Sequence, residues 1–239
     1  MHFAVEPLSE DTLLLRFGER IDIDLNTQVH AAARRLRTVP LRGMVDIAPA
    51  YASILLRFDP AAWDDASDRP PHARVEQALR AALAHAPLPA AGSDDAGSRI
   101  VEIPVCYGGT YGPDLEALAA YAGMGSGEVV ARHAADVYTV AMLGFAPGFP
   151  YLLGLNPALH MPRRTTPRTR VPAGSVAIGG AQTGIYPREL PGGWNLIGRT
   201  PLALFDPRHA PPCLLAPADR VRFRAISAEE FSALTERPW

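Results

Sequence analysis

The sequence predicts an α+β chain in two parts: a small α+β N-terminal domain over residues 1–86, then a β-rich domain over 99–239 built as a compact barrel or sandwich. Three observations carry this expectation. Strand-like and helix-like apolar spacing alternate through the first part. Residues 87–98, PLPAAGSDDAGS, combine proline, glycine, serine and acids with no large apolar residue after Leu88, as an inter-domain linker does. From Val137 to Phe223 short apolar runs are cut repeatedly by Pro and Gly, with no sustained helical period.

Phe3 and Val5, then Leu13, Leu15 and Phe17, alternate as half-buried strands do, with Ser9, Glu10 and Asp11 as the turn between them. Asp24 stands where a helix N-cap belongs, and Leu25, Val29, Ala32, Ala33 and Leu36 recur on one helical face. Met44 to Ala48 and Ser53 to Phe58 form a second pair of strands around Pro49, Ala50 and Tyr51, and Val75, Leu79, Ala82 and Leu83 stripe a second helix. Beyond the linker, Ile100 to Val105 reads as a strand. Pro113 to Ala122 reads as a helix whose Asp114 and Glu116 suit the positive end of its dipole, with Gly123 as its stop. Ser126 is placed to cap a further helix carrying Val129, Val130 and His133. The run Gly123, Gly125, Gly127 therefore punctuates helices; a dinucleotide loop would need a strand before it.

The 239 residues are 48% hydrophobic and 20% charged, with a formal charge of −2, so they can bury a core and supply no general field for nucleic acid. Met1 to Glu10 holds two acids and no apolar run, and Arg, Asp or Pro interrupts every longer hydrophobic stretch. Neither an export signal nor a membrane helix is expected, and the predicted location is the cytoplasm. Cys106 and Cys213 lie far apart without a CxxC or a His-rich neighbourhood, which suggests reduced thiols and neither a disulfide nor a metal site. All 23 Lys or Arg positions are arginine. The absence of lysine removes Schiff-base, Walker-lysine and Ser-Lys chemistry.

Arginine is therefore the residue to follow. Arg163, Arg164, Arg168 and Arg170 fall in PRRTTPRTR with no acid among them, and Pro162, Pro167 and Pro172 keep that backbone extended. In an extended chain Arg164, Arg168 and Arg170 share one face, where their forks suit phosphate or carboxylate. A solvated basic loop, or a patch paired with acids of another subunit, is the competing reading. Gly174, Gly179, Gly180 and Gly184 follow, fitting either close approach to a ligand or tight corners. Gln182, Thr183 and Tyr186 among them suit orientation of a small amide or lactam. GFAPGFPYL, residues 144–152, sets aromatic rings in a rigid frame, for core packing or for a ligand wall. His133, near a helix end, is a candidate acid or base. Ser175 sits in A-G-S-V rather than in a nucleophile elbow.

Long motifs in GMVDIAPAYASILLRFDP, PVCYGGTYGPDL, GFAPGFPYL, TPRTRVPAGSVAIGGAQTGIYP and PGGWNLIGRTPLALFDP resemble the KipI-like family, also called allophanate hydrolase subunit 1 or PxpB, the B-type 5-oxoprolinase component, over nearly the whole chain. SEDTLLLRFG stands where that family commonly carries Gly-Asp before the strand. The resemblance implies an N-terminal α+β domain followed by a cyclophilin-like β-barrel. It implies work as a non-autonomous subunit that opens 5-oxoproline to glutamate, with ATP as co-substrate and a divalent cation held elsewhere in the complex. The implied partners are a larger paralogous subunit, similar to allophanate hydrolase subunit 2, and a lactam-binding subunit of the LamB/YcsF type. Two other implied roles are inhibition of a sensor histidine kinase by docking and a carboxyltransferase-like part in urea or allophanate metabolism. Within that frame the expected catalytic residues are His133 and Arg168, and the expected substrate or nucleotide contacts are Arg164, Arg170, Gln182 and Tyr186. No metal ligand is expected.

Overall fold

The structure, a computed structural model, describes residues 2–64, 68–84 and 99–235. The chain divides into two compact units, Met1–Ala96 and Gly97–Trp239. The stretch read as a linker, 87–98, lies outside the described residues.

In the first unit β1 (Ala4–Ser9) and β2 (Thr12–Arg16) form a hairpin, α1 (Ile23–Thr38) follows, β3 (Met44–Pro49) and β4 (Ser53–Phe58) form a second hairpin, and α2 (Pro71–Ala84) closes the unit. The strands lie in the order β1-β2-β4-β3, all antiparallel. Alternation puts Leu13, Leu15, Ile54, Leu56 and Phe58 on one face, where Val29, Ala32, Ala33 and Leu36 of α1 and Val75, Leu79 and Leu83 of α2 complete the core. The cap of α1 is Asp22, a correction to the expectation of Asp24. Asp22 keeps extended backbone and its carboxylate accepts from the backbone N–H groups of Asp24 and Leu25, while Asp24 lies inside the first turn. One buried polar residue on α1, Asn26, donates its side-chain amide to the carbonyls of Ala50 and Tyr51, both at 3.1 Å, and so ties the helix to the β3–β4 turn.

The second unit runs β5 (Ile100–Tyr107), α3 (Leu115–Ala122), α4 (Ser126–Ala135), β6 (Val137–Leu143), β7 (Pro150–Leu153), β8 (Arg168–Val171), β9 (Ser175–Gly179), β10 (Gln182–Ile185), β11 (Leu190–Gly192), β12 (Asn195–Arg199), β13 (Arg220–Ala225) and α5 (Ala228–Thr235). Seven strands close into a barrel in the order β10-β7-β6-β13-β5-β12-β9. This resolves the barrel-or-sandwich choice in favour of closure, which leaves these strands no free edge. Only the β5–β13 pair of the barrel is parallel. Ile103, Val105, Tyr138, Val140, Leu152, Val176, Ile178, Ile185, Ile197, Val221 and Phe223 share one core with Leu115 and Leu118 of α3 and Val129 of α4. Gly123 ends α3 in the left-handed conformation, φ 67°, as expected. Gly125 rather than Ser126 precedes α4, which starts at Ser126 without a side-chain cap. The helix α5 follows the last strand, where apolar spacing alone assigned no element.

Outside the barrel β8 and β11 pair as a two-stranded ribbon. A second apolar layer joins Val171 of β8 to Ala177 and Leu196 of the barrel through Phe149, Tyr186 and Trp194. Phe149 meets Tyr186 and Trp194 edge-to-face at 5.2 and 5.8 Å. No helix among the described residues is long and apolar enough to cross a membrane.

Replacing Asn26 with Ala strands two turn carbonyls beneath α1, and the expected loss is about 1–3 kcal/mol, read from urea unfolding. A variant as stable as the parent would show that the tie contributes nothing.

Candidate functional site

The basic strip folds around one carboxylate. Asp114, which the sequence assigns to the dipole of α3, makes no side-chain cap bond to that helix. Its carboxylate turns instead to residues about fifty to eighty positions away. Oδ1 accepts from Arg164 Nη1 at 3.1 Å and Arg168 Nη2 at 2.8 Å; Oδ2 accepts from Arg168 Nη1 at 2.8 Å and from the Leu196 backbone N–H at 2.7 Å. The Asp114 backbone N–H returns a bond to the Leu196 carbonyl at 2.9 Å. Asp114 is only 5% exposed, so the pair with Arg168 is a bidentate, charge-assisted contact largely out of water. One carboxylate against two guanidinium groups leaves a net positive charge.

The three arginines expected on one face divide, Arg164 and Arg168 meeting at Asp114 and Arg170 turning to another partner. Arg170 pairs with Glu189 at 2.8 Å, away from Asp114, and its side chain is 78% exposed. Arg163 lies over the Trp194 indole, 5.7 Å from its centroid, and forms no ion pair among the described residues. Beside Arg163 and Arg164 lies an open pocket of about 340 Å³, lined also by Tyr121, Met161, Pro162, Thr165, Thr166 and Asn195, with no acid in its wall. Sequence reasoning names none of Asp114, Arg163, Tyr121 or Asn195 as a site residue. The sequence offered only the strip's lack of a nearby counter-charge; Asp136 and Glu189 are both closer to it in sequence than Asp114, so only folding makes the Asp114 pairing visible.

Gln182 and Tyr186, at and just beyond the two ends of β10, are buried. Tyr186 belongs to the aromatic layer, and burial pushes its hydroxyl above the ordinary tyrosine range. Two glycines around them have no room for a side chain: a Cβ at Gly179 would lie 2.7 Å from the Trp194 indole, and one at Gly184 would lie 2.8 Å from the Pro150 carbonyl and 3.2 Å from the Phe149 ring. In the 144–152 segment Phe149 is core, whereas Phe145 is 61% exposed and sits at φ 67°.

His133 is not brought to the arginines. It lies fully buried in the barrel core, stacked on Phe223 at 4.5 Å. Thr183 Oγ1 donates its single proton to the Ala177 carbonyl at 3.0 Å, so it accepts from His133 Nε2 at 3.1 Å; Nδ1 then accepts from the Tyr107 hydroxyl at 2.8 Å. Both ring nitrogens are satisfied in the neutral Nε2–H tautomer. Burial pulls the imidazole down to about 3, so it stays uncharged at neutral pH. Cys106 is buried and Cys213 half-buried, both free. Among the described residues no three His, Cys, Asp or Glu side chains gather as a metal site would require.

The chain has clear counterparts among known proteins. Residues 3–215 match the family model described as carboxyltransferase domain, subdomain C and D. A B-type 5-oxoprolinase component of Bacillus subtilis is 41% identical over 241 aligned residues, covering 99% of this chain and 98% of that protein. The B-type 5-oxoprolinase component of Escherichia coli is 58% identical over 126 residues, 53% of this chain and 58% of the relative. The crystal structure of TTHA0988 superposes with a TM-score of 0.76 at 40% identity, covering 91% of this chain and 40% of that one. The chain thus spans less than two thirds of the last two proteins. It belongs to the carboxyltransferase C and D subdomain family and, within it, to the B-type 5-oxoprolinase components.

Two outcomes test this geometry. Asp114→Ala leaves Arg168 and the Leu196 N–H without their acceptor; the expected cost is about 3 kcal/mol in urea unfolding, the low end for a broken buried pair because both arginines keep some access to water. A loss below about 0.5 kcal/mol, the scale of an ordinary surface substitution, would exclude the hub. His133 titrates near 3 when folded against about 6.5 when unfolded, so its contribution is complete above about 6.5 and is lost as pH falls toward 3. Stability should fall by up to about 1.4 kcal/mol per pH unit more steeply in the parent than in His133→Gln over that window. Parallel pH profiles for the two proteins would contradict a neutral buried imidazole.

Proposed function

We propose that this chain is the smaller, non-autonomous subunit of an ATP-dependent 5-oxoprolinase, acting in the cytoplasm with a larger paralogous subunit and a lactam-binding subunit to open 5-oxo-L-proline to L-glutamate. The observation that carries the reading is the 41% identity to a B-type 5-oxoprolinase component along the full length of both proteins. The chemistry agrees with an arginine-only chain. A lactam carbonyl is a poor electrophile. Transfer of the ATP γ-phosphoryl group breaks its bond to the ADP oxygen and forms one to the lactam oxygen. Water then adds to the ring carbon and the C–N bond breaks, the nitrogen taking up a proton to leave as the free amine; the acyl phosphate so formed is hydrolysed by a second water, which releases inorganic phosphate and glutamate. Such transfer depends on positioning and charge neutralisation, which guanidinium groups supply.

In this reading Arg164 and Arg168 face phosphate or carboxylate, already oriented by Asp114 and with N–H groups to spare. Arg170 joins them by releasing Glu189, an exposed pair whose loss costs little. Gln182 and Tyr186 orient the ligand. An acid-base part for His133 runs through Tyr107 or Thr183, since its own ring has no exposed edge. The divalent cation that accompanies ATP is held by another subunit.

The test is ATP-dependent glutamate release from 5-oxoproline by the three co-purified proteins and by each pairwise omission. Activity is expected to require this chain, and Arg164→Ala and Arg168→Ala are each expected to lower kcat/KM at least about tenfold. Undiminished turnover without the chain would remove the assignment; unchanged kcat and KM in the Arg164, Arg168 and Arg170 alanine variants would remove the site.

A further inference from the structure

We infer that the pocket walled by Arg163, Arg164, Thr165, Thr166, Asn195 and Tyr121 is the oxyanion-binding site of this chain, and that the rest of the basic strip serves to build it. The inference deepens the proposed function and rests on it only for which molecule carries the oxyanion.

The pocket wall is pinned at successive residues. Met161 and Gly180 exchange backbone hydrogen bonds at 3.2 and 2.7 Å, the Pro162 carbonyl accepts from Asn195 Nδ2 at 2.9 Å, and the Arg164 N–H donates to the Gly193 carbonyl at 2.7 Å. A strip fixed in this way loses little freedom when a ligand arrives. Its two consecutive arginines are fixed as well, but by different partners. Arg164 spends one Nη1 hydrogen on Asp114 and keeps the remainder of its fork, and Arg163 rests on Trp194 through its π face, which consumes no N–H. The four hydrogen bonds that Asp114 accepts come from Arg164, Arg168 and Leu196, so its charge is committed to that cluster.

The rest of the lining sharpens the ligand's chemistry. Thr165 and Thr166 add hydroxyls, and no carboxylate lines the wall. Asn195, 2% exposed, gives both amide hydrogens to the carbonyls of Pro162 and Ile178, so what it has left to offer is the acceptor Oδ1. Two cationic forks, two hydroxyls and one amide oxygen suit a small oxyanion that also carries a proton donor. Hydrogen phosphate has that combination in its own O–H, and a lactam carboxylate has it in its ring N–H.

The experiment is calorimetric titration of the full chain with inorganic phosphate at low ionic strength, in the parent and in Arg163→Ala, Arg164→Ala, Thr166→Glu and Arg222→Ala. Thr166 and Arg222 are both exposed, so those two variants test the pocket without disturbing the core. Saturable binding is expected, weakened at least about tenfold by each of the first three changes and unaffected by the last. Competition then names the source: displacement by ATP assigns the site to a nucleotide phosphate, and displacement by 5-oxoproline assigns it to the substrate carboxylate. Phosphate that does not saturate, or binds all five proteins equally, overturns the inference, while the assignment of the chain to the oxoprolinase stands or falls separately on glutamate release.

Discussion

The second unit turns on the Asp114 carboxylate. It stands at the N-terminal edge of α3, a place where an acid ordinarily faces its own helix, and here it reaches instead to β8, to the strip before β8 and to the backbone of β12. A buried carboxylate is costly unless every lone pair is engaged. Four donors meet that requirement, and the same bonds fasten the segment before β8 and the first residue of β8 to the outside of the barrel. A basic strip that repels itself in isolation becomes compatible with a fixed backbone because one charge of opposite sign lies beneath it.

The aromatic layer performs the complementary apolar task. Phe149, Tyr186 and Trp194 fill the space between the barrel's outer face and the ribbon; the Trp194 ring leaves no room for a side chain at Gly179, and the Pro150 carbonyl with the Phe149 ring leaves none at Gly184. The strip is therefore held electrostatically by Asp114 and sterically by Trp194, with Arg163 touching the latter. Inside the barrel a directional chain runs from the Tyr107 hydroxyl through His133 and Thr183 to the Ala177 carbonyl. It satisfies a histidine that α4 brings into an otherwise apolar core.

These arrangements explain why the regular elements were legible and the site only partly so. Every strand and helix of the first unit follows from apolar spacing within it, and the one local error, Asp24 for Asp22 at the start of α1, is a shift of two residues between neighbouring acids of equal capping ability. The arginine strip was visible as composition. Its division was not: Arg164 and Arg168 turn to one acid, Arg170 to another and Arg163 to a ring, because the partners come from elements far away in the chain. His133 has the same sequence signature whether it caps a helix end in water or plugs a barrel.

The sequence by itself determined the α+β order of the first unit, the β-rich character of the second, the lysine-free reliance on arginine and the family resemblance, since each is carried by local periodicity, residue count or contiguous motif. The barrel of the second unit was already implied by that resemblance; tertiary structure alone decided the order in which its strands pair, that Asp114 is its electrostatic hub, and that the charge left over faces a pocket beside Arg163 and Arg164. The physical reason is range. Periodicity is a property of neighbouring residues, whereas the bonds from Asp114 to Arg164 and Leu196 join positions 50 and 82 apart and exist only once the barrel is shut.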